Sequence, residues 1–144
     1  MSRRWRSDAG SALVEFTYLA ILLMVPLVYV LISVFLVQSA AFGTTEAARQ
    51  ASRAFARADS YGQGQQRATA AARLALRDQG VDGGQVAIDC FGTPCPAAGS
   101  RVRVTVTHHV KLPLLGSLFS DQRRGTIRVQ ASHTEHVDRF KSPR

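Results

Sequence analysis

Acidic residues are scarce in this chain: 10 Asp+Glu stand against 18 Lys+Arg over 144 residues, a formal net charge of +8. Cysteines are two, Cys90 and Cys95, and no charged residue of either sign occurs from Phe16 through Thr45. Each shortage removes a class of function. A lone C-x4-C pair, without further Cys or His at ligand spacing, does not make a metal centre. The four histidines do not complete one: His108 and His109 are adjacent and point to opposite faces of a strand, as do His133 and His136. No phosphate loop, Ser-His-Asp order or paired acid motif is present, so neither an enzyme nor a cofactor is expected. No RNP-like, zinc-finger or helix-turn-helix pattern accompanies the cations, which are spread one or two at a time. The expectation is therefore no nucleic acid, but a solvated basic surface or one drawn to anionic lipid and cell-wall polymers.

What is present begins with the charge-free run itself. Phe16–Val37 is apolar on all sides, unlike an amphipathic surface helix. It exceeds the ~20 helical residues that a hydrocarbon core of ~30 Å requires. Pro26 lies inside it, tolerated in a membrane helix and expected to kink it. Arg3, Arg4 and Arg6 precede the run, so the positive-inside rule assigns the N-terminal tail to the cytoplasm and the remainder to the outside, although Arg49, Arg53 and Arg57 flank the far end. Two export signals are weighed against this. Ser39-Ala40-Ala41 fits a signal cleavage site, but the run is longer than the ~7–15 residues of a signal h-region. Ser2-Arg3-Arg4-Trp5 is an incomplete twin-arginine motif.

Glu15 stands at the entrance of the run, where a carboxylate is costly and calls for a functional explanation. A cut after Gly10 would make Ser11 the new N-terminus and Glu15 its fifth residue. The pattern of Arg3, Arg4 and Arg6, then Gly10, then Ser11 to Val14, then Glu15 and Phe16 resembles the type IV prepilin processing site. It implies cleavage by a membrane-embedded prepilin peptidase. A carboxylate in that place pairs with the new α-ammonium, in its own or a neighbouring subunit, and sets axial register between packed helices. With the Pro26 helix and the Ala/Arg-rich stretch Glu46–Arg57, the chain is similar to the TadE-like pseudopilins of tight-adherence (Flp-type) pilus systems. The implied partners are the bilayer, the peptidase, and other pilus subunits or assembly-platform proteins. From Gly10–Phe16 upward, the alternative is an uncleaved single-pass membrane protein whose outer domain binds a protein or cell-wall partner.

Beyond the run, Ala47, Ala48, Ala51, Ala54, Phe55 and Ala58 recur at helical spacing, with Arg49, Arg53 and Arg57 on a solvated face. The helix is expected to continue out of the membrane as a stalk. Tyr61-Gly62-Gln63-Gly64 reads as a break, followed by a second helix from about Gln65 to Gln79 that Gly80 ends. The period then changes to two in Val86/Ile88/Cys90, Val102/Val104/Val106 and Ile127/Val129/Ala131, giving three half-buried strands. The connection Lys111–Arg124, with Leu112, Leu114, Leu115, Leu118 and Phe119, is apolar enough for a flap or an oligomer contact. Cys90 and Cys95 bracket Phe-Gly-Thr-Pro and, in an exported domain, are expected to be a disulfide. The fold class expected is α+β: a long transmembrane and stalk helix, a second helix, and a small three-stranded antiparallel sheet. The expected division is a basic leader (1–10), the transmembrane helix (11–42), a helical stalk and second helix (43–80), the β domain (81–140) and a tail (141–144).

Overall fold

The apolar run and the alanine-rich stretch after it contain almost nothing that opposes a helix, and they form one. In the computed structural model, which describes residues 9–92, 94–113 and 125–140, helix α1 spans Ala9–Ala56 without interruption at Pro26. Hydroxyls along it are satisfied locally. Thr17, Ser33 and Thr45 donate to the carbonyls of Leu13 (2.8 Å), Tyr29 (2.8 Å) and Ala41 (2.7 Å). Such back-bonding removes the cost of a hydroxyl in an apolar segment.

Helix α2 spans Tyr61–Asp78, and its start corrects the sequence expectation. Tyr61–Gly64 is its first turn, not a break. Ser60 is the N-cap and accepts from the Gln63 backbone N–H, while the Gln63 side chain accepts from the Asp59 N–H at 2.9 Å. This is a variant of the S-x-x-Q capping arrangement, Gln63 reaching back to the residue before the cap rather than to the cap itself, and it outweighs two glycines costing about 1 kcal/mol each. The other end follows expectation. Gly80, at φ +68°, donates to Arg77 O, and Val81 N–H donates to Leu76 O at 3.0 Å. Both bonds belong to a Schellman cap, and its usual apolar pair is here Leu76 and Val81, both buried.

Strands β1 (Gln85–Phe91), β2 (Arg101–Lys111) and β3 (Thr126–His136) form an antiparallel sheet in the order β1-β2-β3. Val86, Val106 and Ala131 share one rung, and Ile88, Val104 and His133 the next. The architecture is thus α+β as expected: a long N-terminal helix, a second helix, then three antiparallel strands.

By its contacts the chain divides into two units, Met1–Val34 and Phe35–Arg144. In the first, the described side chains are nearly all exposed, Phe16 and Leu23 at 73% each, so this stretch has no core of its own. The second has one. Ala40, Ala47, Ala48, Ala51 and Phe55 of α1 and Ala68, Ala72, Ala75 and Leu76 of α2 cluster with Val102, Val104, Val106 and Val110 of β2. Two glycines leave room for large side chains of this core. A Cβ on Gly64 would stand 2.8 Å from the Phe55 ring, and one on Gly84 would stand 2.7 Å from Leu76 Cδ1. Val37 packs against this core, so the compact unit takes in the last turns of the stretch that hydropathy assigns to the membrane segment.

Candidate functional site

The processing motif lies at the head of α1. Gly10 and Ser11 belong to its first turn, while Arg3, Arg4 and Arg6 lie outside the described residues. Glu15 and Phe16 follow in the same helix, both exposed. Among the described residues no ion pair involves Glu15. A carboxylate on an apolar helix, flanked by Val14 and Phe16 at 67% and 73% exposure, is an arrangement that water or an external cation must satisfy.

The helix carrying the motif qualifies for a membrane on length and composition. Ala12–Ala56 contains a window of mean hydropathy 2.9, none of it buried within the protein. This absence of burial separates it from the core helix of a soluble domain, whose apolar face would be covered.

In the second unit, Cys90 at the end of β1 and Cys95 in the following turn form a disulfide. It ties the edge strand to the loop that leads into β2. The loop is closed at its other end by Gly99 and Ser100, whose backbones exchange hydrogen bonds with Val137 (3.1 and 2.9 Å). The connection after β2 is pinned where it is described, Leu112 N–H donating to Gly125 O at 2.9 Å. Leu114, Leu115, Leu118 and Phe119 lie outside the described residues, as do residues 141–144.

The histidines are distributed as strand alternation requires. His108 is on the helix-facing side and its Nδ1–H donates to Gly83 O at 2.8 Å; a carbonyl only accepts, so the proton is on Nδ1. His109 is exposed on the opposite side. His133 lies 3.5 Å from Glu135, while His136 sits across from Arg101. Among the described residues no group of three or more His, Cys, Asp or Glu converges.

Sequence reasoning treated the arginines of β2 and β3 as separate polar positions. The register brings them together. Arg101, Arg103, His109 and Lys111 of β2 share one face with Arg128 and His136 of β3. Period-two alternation alone could have assigned each to an outward face; the pairing of strands was needed to make it one face.

Comparison with protein-family models, with curated proteins and with solved structures gives no match for the chain. The class rests on the structure. One helix long and apolar enough to cross a bilayer leads into a small, disulfide-bearing α+β unit, which fits a single-pass membrane protein.

Proposed function

We propose that this chain is a prepilin-like minor subunit of a tight-adherence (Flp-type) pilus system. On this reading α1 is the assembly helix, Gly10–Ser11 the cut site, and Glu15 the group that pairs with a new α-ammonium and sets register between neighbouring helices. The observation that carries the reading is the position of Glu15. It is exposed near the head of an uninterrupted apolar helix, five positions after Gly10, with no ionic partner among the described residues. A subunit destined to pack helix against helix needs such a partner from outside itself, and a neighbouring subunit's N-terminus supplies a cation at the right level. The disulfide fits an outer unit in an oxidising compartment. The Arg3, Arg4 and Arg6 cluster supports a cytoplasmic N-terminus, as prepilin processing requires.

The test is the N-terminus of the protein purified from membranes, read by mass spectrometry, with Gly10→Leu and Glu15→Ala expressed alongside. A start at Ser11 in the wild type that is lost in Gly10→Leu is the expected result. A start at Met1 or Ser2 overturns it in favour of an uncleaved membrane-anchored binding protein, and a start after Ala41 makes the product an ordinary secreted one.

A further inference from the structure

The sheet has two faces of different chemistry. Val102, Val104, Val106 and Val110 are buried against the helices. On the other face the cationic side chains Arg101, Arg103, Lys111 and Arg128 are all exposed, and His109 and His136 stand among them. They are not evenly placed. Arg101 and Arg103 occupy one end, beside His136, and His109, Arg128 and Lys111 the other, His109 and Arg128 being direct cross-strand partners. Between them the rungs are neutral: Ala87, Thr105 and Ser132, then Gln85, Thr107 and Gln130, with Thr107 buried, Thr105 half-buried, and Ser132, Gln85 and Gln130 exposed. From Arg103 to His109 is six residues of strand, about 20 Å at the usual rise. Among the described residues of this face the acidic side chain is Asp89, across from Arg103. The Arg103 guanidinium lies over the Phe91 ring at 5.3 Å, and its Nε–H donates to Thr134 Oγ1 at 3.3 Å, so this cation is held in place.

We propose that this outer face binds an acidic polysaccharide, laid along the strands with its carboxylates at the two cationic ends and its hydroxyls over the Ser132, Gln85 and Gln130 middle. Charge complementarity calls for a polyanion. The neutral middle, rich in hydroxyls and amides, selects a ligand that has hydroxyls to offer between its charges. A single-stranded nucleic acid is the poorer fit, because it needs a row of aromatic platforms for its bases. Here Phe91 stands at one end, partly roofed by Arg103. The pilus reading above decides only where such a polymer would be met; the binding is a property of the face and stands or falls separately from cleavage after Gly10.

The experiment uses the full chain in a neutral detergent, with fluorescein-labelled alginate as the probe and dextran, single-stranded DNA and a uronic acid disaccharide as comparisons. Alginate is expected to bind and to weaken as salt rises. The pair Arg101→Gln with Arg103→Gln and the pair Lys111→Gln with Arg128→Gln should each weaken it roughly tenfold. The pair Arg73→Gln with Arg77→Gln on α2 removes the same charge and should change it less than about twofold. Melting temperatures matching the wild type exclude misfolding as the cause. Equal losses in the α2 pair, equal or tighter binding of DNA, equal binding of dextran, a disaccharide competing as well as the polymer, or no alginate binding at low salt would each overturn the proposal.

Discussion

Gly62 and Gly64 are two residues apart in one helix and have opposite duties. Gly64 is buried under the Phe55 ring, where a Cβ would meet ring carbons at 2.8 Å; at Gly62 a Cβ meets nothing within 4 Å. Gly64→Ala should therefore cost about 1–3 kcal/mol through overpacking. Gly62→Ala should stabilise by about 0.5–1 kcal/mol through helix propensity and lost unfolded-state freedom. Thermal unfolding of the full chain in detergent should move in opposite directions for the two; a common direction would refute the Phe55 contact. Phe55 itself is fully buried and in edge contact with Tyr61, centroids 5.5 Å apart. Phe55→Ala should lower stability by about 3–5 kcal/mol in the same assay. The sequence displayed Phe55 as an apolar helical position, but it did not display its partner. Gly64 looked like a breaker because an isolated glycine signals flexibility unless a neighbour needs the space.

At the scale of elements, the edge strand β1 depends on its disulfide and on β2. The Cys90–Cys95 closure spans a sequence separation of 5, worth about 2 kcal/mol in the chain-entropy model. Replacing both cysteines by serine should destabilise the second unit, Phe35–Arg144, by about that amount. The loss should appear first as faster amide exchange in Gln85–Phe91, while α2 keeps its protection. Exchange rising equally in α2 would mean that the bond supports the whole unit. Strands and their inward residues were legible from alternation because a half-buried strand leaves that trace. The start of α2 was not, since its capping residues Ser60 and Gln63 resemble loop residues until their hydrogen bonds are seen.

For the molecule as a whole, the contrast is between an apolar helix without a core and a unit with one. Leu22 lies in the exposed apolar stretch. An arginine near the centre of a spanning helix costs about 2.5–3.5 kcal/mol on insertion scales. Leu22→Arg together with Val28→Arg should move the protein from the carbonate-resistant membrane fraction to the soluble or degraded one, whereas Arg49→Leu, in the second unit, should leave it in the membrane. Full membrane retention of the double arginine variant would remove the spanning assignment.

The sequence by itself determined the order and type of the elements and the apolar character of the first one. Charge exclusion from Phe16 to Thr45 is a one-dimensional property, and set against bilayer thickness it gives a helix long enough to span. Period-two valines likewise give a half-buried sheet, and two cysteines five residues apart, one ending a strand and one in the turn after it, are close enough in sequence to pair with each other. Tertiary structure decided what depends on residues distant in sequence. Gly64 became a packing residue only because α2 folds back on Phe55. Val37 and Ala40, apolar enough for lipid, became part of the core because β2 and Val81 join the same cluster. Scattered arginines became one face because antiparallel register brings Arg128 beside His109 and Arg101 beside His136. Local periodicity assigns a side chain to a face of its own element, and only pairing across the chain says which other side chains share that face.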